Sequence, residues 1–151
     1  MSIEKLFLHE KVVNVLIKIL EAEERGEVVY PLQIANDIGS PYSYISKIVK
    51  EFEKYALIDS KVKGRIRAIK LTEWGRRIAE ILRELKNELK KDFVARKKLK
   101  MLKEYLRVAK NDFRYIAPIL AELEMLEMST KDSDVLEEIR TLKRRVKEMI
   151  T

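Results

Sequence analysis

The chain contains no cysteine and a single histidine, His9. The first absence excludes disulfides and thiol chemistry. The second leaves a histidine-based metal site or a nucleophile–histidine–acid triad without partners. No carboxylates cluster with ligand-like spacing in a turn, and no nucleophile–base pair emerges, so neither an enzyme nor a cofactor is expected. Four glycines, three prolines and 7% aromatics in 151 residues argue against an all-β fold. Long apolar runs are missing too. The longest, Val12 to Leu20, is interrupted by Asn14 and Lys18, so no membrane span is expected. Charges near the first residues break any signal-peptide pattern, so an intracellular, cytoplasmic protein is expected. Glutamine occurs once, at Gln33, while Lys, Glu, Arg and Ile abound, a bias like that of hyperthermophile proteins, archaeal ones included.

What the chain has in quantity is charge: 38% of residues, with a net charge of +7. Such a balance favours polyanionic partners. Its distribution is uneven. From Ser40 to Thr72 eight basic residues face three acids, and from Lys90 to Lys110 nine face two. The second run is expected to be a solvated helix surface rather than a second site for such a partner.

Helical periodicity begins at once. Leu6, Val13, Leu16, Ile17 and Leu20 predict a first helix over 2–24, ended by Arg25-Gly26. His9 is expected at the surface or its boundary. A short β-like piece, Glu27 to Tyr30, precedes Pro31, which opens a second helix reaching Ile38. Gly39 closes it. Ser40 is the expected N-cap and Pro41 the first residue of a third helix, which reaches about Tyr55. Its core face is Ile45, Ile48, Val49 and Phe52, spaced i, i+3, i+4, i+7. Leu57-Ile58 begins a strand, and Lys61 to Arg67 reads as a hairpin turning at Gly64. Thr72 caps the next helix, and Trp74 is expected in the core at its start.

That next helix is expected to run from Thr72 toward Lys110, with a kink or an unsupported stretch between Lys90 and Lys98 where the apolar pattern weakens. Asn111-Asp112 and Pro118 mark further interruptions. Segments 112–128 and 134–150 predict a helical hairpin across the 129–133 loop. Val135, Ile139, Leu142, Val146 and Met149 keep the 4-3-4-3 spacing of a coiled-coil seam. Ile119, Leu126 and Leu136 are left exposed by such a hairpin, and a second copy would cover them as a four-helix homodimer.

The order helix, short strand, helix, glycine turn, helix, basic hairpin, helix carries a resemblance. LQIANDIGSPYSYISKIVKEFEKYALIDSKVKGRIRAIKLTEWGRRI, from Leu32 to Ile78, resembles the winged helix–turn–helix family of bacterial and archaeal regulators of the MarR and PadR type. Ala35 sits where the family needs a small residue, Gly39 at its turn, EFEKYALI at the passage into the wing and LTEWG at the exit. Tyr55-Ala56 departs from the pattern, since many relatives carry a glycine before the Leu-Ile pair; a tighter or more helical turn is expected here. The apolar spacing beyond residue 75 predicts a helical, coiled-coil dimerisation tail at 76–151, made of the long helix and the hairpin. The resemblance itself covers the first half of the chain and implies a winged helix–turn–helix domain at 1–75, hence a mainly α fold with a small β-wing.

It also implies double-stranded DNA as the partner of a homodimeric transcription regulator. The third helix, 41–55, would enter the major groove with Tyr42, Ser43, Tyr44, Ser46, Lys47, Lys50 and Lys54 on or near its outer face. Ser43, Ser46 and Lys47 would reach base edges, and Tyr42 or Tyr44 a phosphate or thymine methyl. The wing, with Lys61, Lys63, Arg65 and Arg67, would touch backbone or minor groove. Two other readings share the same surface: an architectural chromatin protein of low sequence specificity, and a winged-helix module that docks on protein. The operator, the choice of activation or repression, and any small-molecule effector are not encoded legibly.

Overall fold

A computed structural model describes residues 2–109 and 111–150 of the chain. These form two compact units, Met1–Leu89 and Lys90–Thr151.

The first unit contains α1 (Ile3–Leu6), α2 (Glu10–Glu24), α3 (Pro31–Ile38), α4 (Tyr42–Lys54), β1 (Ile58–Lys63), β2 (Ile66–Leu71) and α5 (Glu73–Leu89). The single helix expected over 2–24 is two helices. Phe7 leaves the helical path to stack on Phe52, ring centroids 5.8 Å apart, and His9, exposed, stands at the N-cap of α2. Burial of an aromatic pair outweighs the few local hydrogen bonds that an unbroken helix would add. The core is built from α2 (Val15, Leu16, Ile19, Leu20), α3 (Ile34, Ala35), all four expected residues of α4, Leu57 of the turn after it, and Ile58, Ile69 and Leu71 of the sheet.

α3 ends as expected: Gly39 has φ +73°, and its N–H donates to the Ala35 carbonyl at 2.9 Å. Ser40 does not cap α4. Its N–H also donates to the Ala35 carbonyl, at 3.0 Å, so it belongs to the closing turn of α3, and Pro41 takes the N-cap position. β1 and β2 pair antiparallel, from Ile58 opposite Leu71 to Lys63 opposite Ile66. The two-residue loop has positive φ at Gly64 only (+66°), as a type II′ turn has. Val29 adds one bridge to Ile69.

The chain between α4 and β1 holds Ala56 at φ +57°, where relatives of the pattern carry glycine. An L-residue there costs about 1–2 kcal/mol, partly offset by the entropy that glycine loses on folding. Ala56→Gly is therefore expected to stabilise the first unit by roughly 0.5–1 kcal/mol, read as a higher urea midpoint with unchanged slope; a lower midpoint contradicts the strain.

α5 extends the first unit well beyond the boundary expected at residue 75. Gly75 and Ala79 are buried, with Ile78 and Leu82 packed on the core. At 100° per residue that inward face turns Trp74 out, and the expected core tryptophan is 68% exposed.

The second unit is a three-helix assembly: α6 (Phe93–Val108), α7 (Phe113–Ser129) and α8 (Ser133–Ile150). The long helix expected from Thr72 is interrupted at 90–92, and the interruption has a chemical cause. Asp92 caps α6 by accepting from the Ala95 N–H (3.0 Å), and accepts from the Thr130 hydroxyl (2.8 Å). Asp132 accepts from the Asp92 N–H and from Arg96 Nε, both at 2.9 Å. Pro118 does not interrupt α7, which runs through it between the buried Ile116 and Ile119. The seam Val135, Ile139, Leu142 and Val146 is buried within this unit, with Met149 packed on it. Ile119 and Leu126, expected to await a second copy, are buried as well, and Leu136 is half-buried. The third helix, α6, supplies the cover that a two-helix hairpin lacks.

Asp132 carries a pH dependence. The Arg96 guanidinium and the Asp92 backbone N–H hold its carboxyl at about 2, below its ordinary 3.8. Folding thus favours the charged form, and the stabilisation is complete above about pH 4 and disappears as pH falls toward 2. Asp132→Asn is expected to lower stability at pH 7 and to flatten the loss between pH 4 and 2. An unchanged acid profile contradicts this role.

Candidate nucleic-acid interface

The first unit exposes one face of α4. With Ile45, Ile48, Val49 and Phe52 turned inward, the helical period leaves Tyr42, Ser43, Lys47, Lys50 and Lys54 exposed and Ser46 half-buried. Tyr44 lies differently: it is half-buried, packs on the core, and has Lys11 Nζ 5.6 Å from its ring centroid. Lys54 Nζ lies 5.5 Å from the Tyr55 ring, at the far end of the helix from Ser43.

The hairpin presents Lys61, Lys63 and Arg65 to solvent. Arg67 is partly covered and pairs with Glu53 at 3.5 Å. Glu53 also accepts a hydrogen bond from the Ser60 hydroxyl. One carboxylate near the end of α4 therefore grips both strands and fixes the wing against the helix. Composition alone counts Glu53 as an acid opposing a basic patch; its position one residue before the end of α4 is the only sequence signal for this joint.

Wing and helix meet at an open cleft lined by Tyr42 of α4, Arg65, Ile66 and Arg67 of the wing, and Leu32, Gln33 and Asn36 of α3. Gln33 and Asn36 stand three residues apart, exposed on the outer side of α3; the sequence reading passed over both. Their amides donate and accept, as groups that reach phosphates or adenine do. A cation and hydrogen-bonding surface is thus continuous from α3 across the start of α4 to the hairpin.

Behind this surface the scaffold is pinned by Glu23, whose side chain is 11% exposed. It accepts from the Leu71 N–H at 2.7 Å and pairs with Arg76 at 2.8 Å, joining α2, β2 and α5. Thr72 donates its hydroxyl to the Ala56 carbonyl (2.6 Å) and accepts from the Gly75 N–H (3.1 Å), so it caps α5 and ties it to the turn after α4.

Two cations of the second basic run are engaged within its own unit. Arg96 binds Asp132 and Asp134, and Lys103 pairs with Glu138 at 3.0 Å. Lys110 lies outside the described residues. Among the described residues no three His, Cys, Asp or Glu side chains gather as a metal site, and no helix is long and apolar enough to cross a membrane.

No family model matches the chain. A protein of Archaeoglobus fulgidus is 32% identical over 88 residues, which is 58% of this chain and 93% of the relative. The crystal structure of AF1382 from Archaeoglobus fulgidus is likewise 32% identical, with a TM-score of 0.55 over 58% of this chain and 97% of that one. Since these matches nearly exhaust the shorter proteins, this chain carries a stretch of about one unit that they lack. MepR, a transcription regulator of the Staphylococcus aureus multidrug efflux pump MepA, is 18% identical with a TM-score of 0.51, over 65% of this chain and 74% of its own. The helix–turn–helix of α3 and α4, the β1–β2 wing and these likenesses agree: the chain belongs to the family of the Archaeoglobus fulgidus protein and has the winged helix–turn–helix fold.

Proposed function

We propose that the chain is a double-stranded DNA-binding transcription regulator that acts as a homodimer, with α4 in the major groove and the wing on the backbone or in the minor groove. The observation that carries this reading is the set Tyr42, Ser43, Lys47, Lys50, Lys63 and Arg65, exposed on a helix and a hairpin that Glu53 holds together. A docking module for protein has no use for a wing tip of Lys63, Gly64 and Arg65, which instead suits phosphates. In the Lys90–Lys110 run, which an architectural role would recruit, Arg96 and Lys103 already pair with Asp132, Asp134 and Glu138 of their own unit. The reading makes the protein a non-enzyme of the cytoplasm, associated with the nucleoid and requiring no cofactor.

Base reading and backbone holding fall to different residues. Selection from random duplexes tests this division. The wild type is expected to enrich a two-fold related site. Ser43→Ala with Lys47→Ala is expected to flatten the enrichment, because each good base contact contributes about 1–3 kcal/mol of discrimination. Arg65→Ala is expected to weaken all sequences about equally. A changed preferred site in Arg65→Ala, with the double variant unaltered, reverses the assigned roles. No enrichment with the wild type removes the regulator reading and leaves the architectural one.

A further inference from the structure

The seam of α8 is spent inside its own unit, so the dimer needs another surface, and the second unit has one. α6 and α7 are successive helices, and the groove between them is mostly apolar. Met101, Tyr105 and Val108 line it from α6, and Tyr115, Pro118 and Met125 from α7. Val108 is 73% exposed, Met125 63% and Tyr105 58%. These residues are not spare members of the core, which Leu99, Leu106, Ile116 and Leu123 already fill.

We propose that this groove is where a second copy of the chain docks, with α6 of each copy against α7 of the other; the proposal rests on the dimeric reading above. Charge selects the occupant and its orientation. In the groove α6 presents a cation, Lys98, and α7 an acid, Glu122, both exposed, while the other acids of α7, Glu124 and Glu127, are turned to Lys143 of α8. Lys98 and Glu122 line the same stretch of the groove from opposite sides. A two-fold axis along the groove lays α6 of one copy on α7 of the other, antiparallel, and brings Lys98 of each copy to Glu122 of the other. An axis across the groove sets α6 on α6 and Lys98 on Lys98, which like-charge repulsion disfavours. The groove is therefore complementary to itself in one arrangement, apolar at the centre and oppositely charged at its flanks.

Light scattering after size exclusion, on the full chain without DNA, tests this independently of DNA binding. The wild type is expected to be a dimer at about 10 µM. Lys98→Glu and Glu122→Lys each replace two attractive pairs per interface by two repulsive ones, and each is expected to weaken the dimer at least about ten-fold. Mixing the two variants is expected to restore the dimer mass, because every cross-pair is then opposite in sign. Helix content by circular dichroism is expected to be unchanged in both, since both side chains are exposed. A monomeric wild type overturns the proposal, and leaves DNA binding through a single copy standing. Dimers indifferent to both changes overturn it in favour of another surface, such as the exposed Trp74, Ile81 and Leu85 of α5. Weakening that mixing does not restore overturns it too, by showing that Lys98 and Glu122 act within one chain.

Discussion

Raising the salt concentration from about 50 to about 200 mM is expected to weaken DNA binding by roughly three to four powers of ten. The figure follows from the surface. Of the exposed cations on α4 and the hairpin, Lys54 is drawn to the Tyr55 ring, and Arg67 is held by Glu53. Lys47, Lys50, Lys61, Lys63 and Arg65 are among those that remain, and three or four of them on each subunit give about six to eight phosphate contacts per dimer. Each releases counterions, so log K falls with log salt at a slope of roughly −5 to −7. Titration of a labelled duplex at several salt concentrations reads the slope directly. A flat response means that the basic face is an ordinary solvated surface.

The largest effect on stability is expected at Gly75. A glycine-to-alanine change inside an unpacked helix gains about 1 kcal/mol. Here the added Cβ would lie 1.9 Å from the Leu57 carbonyl oxygen and 2.8 Å from its carbon. That oxygen cannot simply retreat, because it accepts from the Thr72 N–H at 3.0 Å. α5 must move off the turn, and with it the Thr72 cap and the packing of Ala79. Gly75→Ala is expected to destabilise the first unit by about 3 kcal/mol, the upper end of overpacking costs, or roughly 12–24 °C in midpoint for a domain of this size. Trp74 is the only tryptophan in the chain and adjoins the site, so its fluorescence during thermal unfolding of the full protein reports the first unit. A midpoint at or above that of the wild type contradicts the close approach.

Gly75 also shows what kind of information the sequence carries. Its place in LTEWG was legible as part of a pattern, while the reason, a backbone contact with Leu57, became visible only in three dimensions. Features set by local chemistry read well: the Pro31 start and Gly39 end of α3, the core face of α4, the Gly64 turn and the Thr72 cap. Features set by distant partners did not. Phe7 breaks the first helix because Phe52, forty-five residues away, offers it a stacking surface. Trp74 points outward because Gly75 and Ala79 claim the inward side. In the second unit, the heptad spacing of Val135 to Met149 correctly marked a buried seam, yet spacing cannot say whose residues bury it. α6 of the same chain does so, once the polar cluster of Asp92, Thr130 and Asp132 has broken the long helix. Within the site, cations were legible from their types and period. The anchor Glu53 and the amides Gln33 and Asn36 were not, because their roles depend on a wing and a helix meeting.

The decisive property is binding of duplex DNA by α4 and the wing together. Its most direct test is an equilibrium titration of the full chain with random-sequence duplex at about 50 mM salt, beside the variant Lys47→Glu/Arg65→Glu. Both positions are exposed, so the fold is expected to persist, and circular dichroism checks it. The wild type is expected to bind, at the micromolar level or tighter typical of the electrostatic term. The variant changes the local charge by four per subunit and is expected to lose at least about a hundred-fold. A wild type that does not bind, or a folded variant that binds equally well, contradicts the assignment of this face to DNA.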